Sequence, residues 1–256
     1  MQASHYAIDF FEWFGDLGQF FGRVTRGAFS RPFEGRELIR QMDAIGALSF
    51  PLVAVAGAAT GVVLAMQTRD SLSRFGAKSM LPSVIVFTLL KEMGPIITAL
   101  VASGRVGAGI GAELDSMKVT EQIDAIEVSA VNPYNFLAAT RVIACIAMLP
   151  LLTLVADFCG ILAGWVASTL VQPISLHLFI ISGLKDANFH DFLLPTFKTM
   201  VFGLIIGVIS CFQGMRTTGG TAGVGRSATS SVVLSSLLII LADVLLVRII
   251  LLISPS

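Results

Sequence analysis

Charge is scarce in this sequence. Of 256 residues only 13% are Asp, Glu, Lys or Arg, against 55% hydrophobic ones, and 17 basic residues cancel 17 acidic ones. The mean hydropathy of +0.84 is too high for an ordinary soluble domain. No basic block is present to grip nucleic acid. Stretches alternating polar and apolar residues are lacking, which argues against an outer-membrane barrel. Cysteine is rare: Cys145, Cys159 and Cys211 each sit in an apolar run without CxxC spacing, and read as small buried hydrophobes. His5, His177 and His190 lie far apart and form no metal motif. Asp9, Glu12 and Asp16 interrupt the only early apolar stretch, so no secretory signal is expected there.

What the chain does have is long apolar runs, several near the roughly 20 residues that cross a hydrocarbon core of about 30 Å. The expected fold is an all-α polytopic membrane protein with about five transmembrane helices. Spans are expected at 45–66, 81–103, 142–170, 192–212 and 232–253. Gly57, Gly61, Ala54 and Ala58 in the first span permit close helix packing. Ahead of it, residues 6–27 set Phe10, Trp13, Phe14, Leu17, Phe20, Phe21 and Val24 on one stripe, with Asp9, Glu12, Asp16 and Arg23 off it. That pattern suits a helix lying in the membrane interface, although a soluble core helix would show the same stripe. The chain is read as a single domain, 1–256: an interfacial or elbow region over 1–44, spans over 45–103 and 142–253, and 104–133 between them.

The 104–133 segment is the longest polar interruption. It carries Glu113, Asp115, Glu121, Asp124 and Glu127 against Arg105 and Lys118. From Ala112 to Val128 neither Pro nor Gly occurs, and Leu114, Met117, Ile123 and Ile126 fall at roughly helical spacing, which predicts one amphipathic helix outside the bilayer. Arg23, Arg26, Arg31, Arg36, Arg40, Arg105, Lys118, Arg141, Arg216 and Arg226 lie in segments on one side. Arg69, Arg74, Lys78 and Lys185 lie in those on the other. Ten against four places the N-terminus and the 104–133 helix in the cytoplasm and the C-terminus outside.

Ionisable groups within the spans include Lys91, Glu92, Asp157, Lys198 and Asp243. Each costs at least about 2.5 kcal/mol at the bilayer centre, so they should face a cavity or one another. Counting along the helices puts Lys91, Glu92, Lys198 and Asp243 within reach in depth, with Lys198 against Asp243 or Glu92 as the expected pairs. They are either structural ion pairs fixing helix register or the lining of a polar substrate cavity. Lys91 and Glu92 point about 100° apart on a regular helix, and serve one site only if Gly94 and Pro95 bend the backbone. The run Gly220 to Ser227 looks like a phosphate-binding loop, but Arg226 stands where lysine is needed and no buried strand precedes it. Glu113 and Glu121 share a helical face without a histidine, and no nucleophile or metal grouping is visible, so the chain is not expected to be an enzyme.

The stretch KEMGPIITALVASGRVGAGIGAELDSMKVTEQIDAIEVSAVNP, residues 91–133, resembles the signature of the MlaE-type permeases, the membrane subunits of ABC lipid transporters that work with MCE-domain proteins. The likeness in layout extends over essentially the whole chain. Asp115 departs from the glycine expected between Leu114 and Ser116, which should stiffen the helix locally. The resemblance implies a homodimeric permease in the bacterial inner membrane, with two cytoplasmic ATPase subunits and an MCE substrate-binding assembly on the periplasmic side. Some such systems add a STAS-domain protein. The transported lipid would be a phospholipid or relative, passed between the inner membrane and the MCE carrier to maintain outer-membrane asymmetry. No cofactor is expected in this chain, since ATP and Mg would be bound by the partner ATPase. The resemblance also implies that 104–133 contains the coupling helix. Glu113, Lys118, Glu121, Gln122 and Asp124 would make polar contacts with the ATPase, and Met117 and Ile123 would pack. Lys91, Glu92, Lys198 and Asp243 match charged positions near the lipid cavity. The alternative is an ion-coupled secondary transporter using Glu92, Lys198 and Asp243 as a proton relay.

Overall fold

The structure, a computed structural model, describes residues 2–28, 34–185, 189–216 and 221–253. Among them every regular element is helical, and five helical stretches are long and apolar enough to cross a membrane: Gly35–Arg74, Lys78–Val119, Tyr134–Thr169, Phe192–Arg216 and Gly223–Leu252. All five expected spans are present, each extended at one or both ends.

Helix α1, Gln2–Ala28, splits the predicted aromatic stripe into two faces. Phe20 and Val24 are buried, and Trp13 and Leu17 pack beside them on the core. The Trp13 and Phe20 rings meet Phe212 edge-on at 5.7 and 5.6 Å. Phe11, Phe14 and Phe21 point outward, and the Phe10 side chain lies outside the described residues, as does Arg31. A helix apolar on two sides, docked by one, leaves its second face for a medium other than water.

Helix α2, Gly35–Arg74, runs along α7, Thr140–Thr169. Gly57 and Gly61 lie directly against the backbone of Ala156 and Gly160, where a Cβ at Gly61 would collide with the Gly160 carbonyl. Small residues thus set the helix separation, as expected in a medium where hydrophobicity alone does not drive helices together.

The second span departs most from expectation. A 3₁₀ turn at Lys78–Met80 leads into α3, Leu81–Thr88, a π-helical turn at Leu89–Met93, α4, Gly94–Ala102, a second π turn at Ser103–Gly107, and α5, Ala108–Val119. The helix therefore continues far past position 103, and the first half of the polar segment is not outside the bundle. Small residues allow this: Gly107 faces Ser210, and Gly111 faces Ser231 and the Ser227 carbonyl. Leu114 and Asp115 are fully buried. The predicted single amphipathic helix breaks at Glu121, whose φ of 58° is left-handed. A separate short helix α6, Gln122–Val128, follows.

After a π turn at Tyr134–Ala139 and α7, the segment expected to be an extramembrane connection contains α8, Leu176–Leu184. Ser175 caps it by accepting from Leu178 N–H at 3.3 Å, and Phe179 buries against Ile85 and Val86 of α3. Helices α9, Phe189–Arg216, and α10, Thr221–Ile253, complete the bundle. The latter begins eleven residues earlier than expected because its glycines and serines fit against α5: Ser227 Oγ donates to the Gly111 carbonyl at 3.3 Å. Gly220 lies outside the described residues, and Thr221 to Ser227 are helix, not a strand–loop cradle. The main core joins α1, α4, α5, α7, α9 and α10, with a second cluster under α3 and α8.

Candidate functional site

The charged centre is built on an irregularity in the second span. Pro95 carries no N–H, so the carbonyl of Lys91, four residues earlier, has no α-helical donor. The backbone there widens into the π turn Leu89–Met93, the kind of bulge that re-aims side chains. Lys198 of α9 reaches this spot and donates to the Lys91 carbonyl at 3.3 Å. The same ammonium lies 2.9 Å from Glu92 Oε2 and 2.8 Å from Asp243 Oδ1. The contact to Glu92 is an aligned hydrogen bond, whereas that to Asp243 is an ion pair by distance whose alignment falls short of one.

Lys198 therefore joins three helices: the π turn before α4, α9 and α10. Its side chain is 1% exposed, against 39% for Glu92 and 13% for Asp243. Both pairings expected from the sequence, with Glu92 and with Asp243, form at once. One cation between two carboxylates leaves a formal charge of −1 on the group. Lys91 is exposed, its ammonium 5.1 Å from the centre of the Phe87 ring. Both Lys91 and Glu92 lie in the π turn, where the Glu92 carboxylate reaches Lys198 while the Lys91 ammonium stands over the Phe87 ring. Gly94 and Pro95 were expected to bend the backbone here, and the widened turn lies just ahead of them.

Asp157 does not join this centre. It is buried on α7 with Oδ1 in the space that a side chain at Gly94 would fill, and that oxygen has no hydrogen-bond donor among the described residues. The expectation that every intramembrane charge faces a cavity or another charge fails here. The reason is local: Gly94 has no Cβ, so its Cα edge is open to the carboxyl.

At the other end of the bundle, Glu113 pairs with Arg141 at 2.9 Å, and the Arg141 guanidinium, 2% exposed, also donates to the Leu137 carbonyl at 3.0 Å. Arg141 was counted among loop charges, yet it is an internal brace between α5 and α7. The signal for burial was the sequence itself, since apolar residues flank Arg141 within one turn on both sides. Asp115 was also missed as a buried group; both its oxygens lack a donor among the described residues. Its position four residues beyond Gly111, on the stripe that packs against α9 and α10, was the available clue.

Of the residues assigned to ATPase contact, Ile123 is buried and Met117 packs beside it, both against this chain's own core. Glu121, Gln122 and Asp124 are exposed. Lys118 bridges to Asp124 Oδ1 at 2.6 Å and so ties α5 to α6 across the left-handed break. The surface these residues offer outward is small, polar and rigidly attached. The cysteines are free, with Cys145 and Cys211 buried, and no group of three metal-ligating side chains occurs among the described residues.

Comparison with known proteins accords with this architecture. The family described as Permease MlaE matches residues 38–249. A probable ABC transporter permease protein of Rickettsia typhi is 38% identical, covering 82% of this chain and 81% of its own length. A probable ABC transporter permease protein of Synechocystis is 35% identical over 88% of this chain and 84% of its own. The chloroplastic protein Trigalactosyldiacylglycerol 1 of Arabidopsis thaliana is 33% identical over 88% of this chain and 64% of its own. The matched region runs from the start of α2 almost to the end of α10 and takes in Glu92, Lys198 and Asp243 with the helices that carry them, so the chain belongs to the MlaE permease family.

Proposed function

We propose that this chain is the permease subunit of an ABC transporter, and that it moves phospholipids or related lipids between the inner membrane and a periplasmic MCE carrier, sustaining outer-membrane lipid asymmetry. The observation that carries the reading is the exposure of Lys91, with Glu92 partly exposed beside it in sequence, halfway along an apolar span, ten residues, or roughly 15 Å, beyond Leu81. Lipid tails cannot solvate such groups, so something polar covers them. A second copy of the chain, facing the first, turns the two charged surfaces into one chamber, apolar on its walls and charged in one band. A phospholipid has the matching chemistry, a charged head on long tails. The names of the relatives supply support of a different kind: two are described as probable ABC transporter permeases and one after a galactolipid.

In this reading Lys91, Glu92, Lys198 and Asp243 contact or position the lipid headgroup, and the chain performs no bond chemistry. ATP and Mg belong to the partner ATPase, which meets α6 through Glu121, Gln122 and Asp124, with Glu113 and Lys118 bracing that contact from behind. Closure of two ATPase subunits pushes α6, and the Lys118–Asp124 pair passes the displacement to α5 and onward through the second span to the π turn beneath Lys198. A STAS-domain protein would join on the ATPase side. The N-terminus is cytoplasmic and the C-terminus periplasmic. The test is purification of the native complex into nanodiscs, followed by mass spectrometry of subunits and extracted lipid. Two copies of this chain, a nucleotide-hydrolysing subunit and a phospholipid should be recovered together. A lone chain with neither ATPase nor lipid overturns the reading.

A further inference from the structure

Away from the charged centre, a hollow of about 750 Å³ opens between the last turn of α1 and the segment 127–135, from the end of α6 into the next π turn. Arg23, Arg26, Tyr134, Asn132 and Glu127 are among its lining residues. Arg23 is held in place there: its Nη1 donates to the Tyr134 hydroxyl at 3.0 Å, and its guanidinium carbon stands 5.4 Å from the centre of the same ring. Neither Arg23 nor Arg26 forms an ion pair with a described residue, and Arg26 is exposed. Asn132 accepts from the Tyr134 N–H through Oδ1, which leaves its amide N–H groups directed elsewhere. Glu127, itself exposed, is the one acid lining the hollow among the described residues. Next to it a smaller space of about 240 Å³ shares Arg23 and Tyr134 and is lined on another side by the Arg216–Asp16 ion pair, 2.9 Å.

We propose that this hollow binds the phosphate of an anionic lipid headgroup. Two guanidiniums without an acidic partner among the described residues, one pre-ordered by a tyrosine, with an amide beside them, are the donor set that phosphate oxygens favour. The volume falls within the range of small-molecule sites. The same helix explains why the phosphate arrives on a lipid and not from water. Phe14 and Phe21 project outward from α1, which sets this helix at the boundary between acyl chains and headgroups. Basic pockets at the ends of membrane bundles take anionic headgroups for this reason. Such a lipid would clamp α1 to the turn after α6, adjoining the surface assigned above to the ATPase.

The proposal is independent of what the Lys198 centre binds, and is tested on the full chain with its co-purifying subunits. The protein is placed in phosphatidylcholine nanodiscs with and without phosphatidylglycerol, and tightly retained lipid is counted by native mass spectrometry. Arg26→Gln, at an exposed position that should fold, is expected to lower retained phosphatidylglycerol about fivefold, the effect of one basic residue near a lipid surface. Glu127→Gln should raise it. Retention unchanged in both variants overturns the site. Loss of retained phosphatidylglycerol on adding millimolar inorganic phosphate overturns the lipid assignment and leaves a soluble phosphate as the ligand.

Discussion

Lys198 shows how one residue can hold an irregular membrane fold together. It neutralises Glu92 and Asp243 and satisfies the carbonyl that Pro95 strands. Burying an ion pair contributes little net stability, but removing one partner leaves the others uncompensated in a low-dielectric setting. Lys198→Met should therefore lower stability by about 3–5 kcal/mol, seen as a reduced unfolding temperature in detergent. Adding Glu92→Gln and Asp243→Asn to that variant should restore most of the loss while still abolishing lipid transport. A triple variant as unstable as the single one would mean that packing of the lysine stem, not charge, is what matters. These pairings were legible from the sequence because an ionisable group deep in an apolar run has few ways to be satisfied. Asp157 was not, since its neighbour is a backbone edge at Gly94 that no charge count reveals.

Among the helices, α2 and α7 meet backbone to backbone, where no side chain fits between Gly61 and the Gly160 carbonyl. Gly61→Val must push the two apart, and overpacking of this kind costs about 1–3 kcal/mol or more. The expected result is a lower folded yield and unfolding temperature. Gly104→Ala, where a Cβ meets open space, should leave both unchanged. The same scale is where sequence periodicity misled most. Leu114, Met117, Ile123 and Ile126 do share an apolar face, but that face belongs to two helices meeting at Glu121 and is turned into the chain's own core. Period alone tells that a face is buried, not whether the partner is another protein or a neighbouring helix. The early start of α10 and the presence of α8 were hidden for a related reason. Glycine and serine read as loop in water, yet they are what lets helices touch inside a membrane.

For the whole molecule, the proposed coupling would run from α6 across the break at Glu121 into a nearly continuous helical rod, α5, the π turn at Ser103–Gly107 and α4, that ends at the π turn Leu89–Met93. Reversing or removing the Lys118–Asp124 pair should separate the two activities of the proposed complex. With Asp124→Lys, ATP hydrolysis should persist while lipid transfer in reconstituted vesicles drops several-fold. Equal transfer by variant and parent would show that force does not pass through this pair. Cysteines placed at Glu121 or Asp124 should crosslink to a nucleotide-hydrolysing partner in native membranes. Composition and hydropathy by themselves determined that the chain is an all-α bundle with five spans, because a hydrocarbon core demands long apolar helices and penalises every stray charge. The 91–133 stretch by itself marked the family. Only the tertiary structure decided that Lys198 serves three helices, that Arg141 and Asp115 are interior groups, and that the polar segment is half core and half surface. Each depends on which faces of separate helices meet, and the small residues that govern such meetings carry almost no periodic signal.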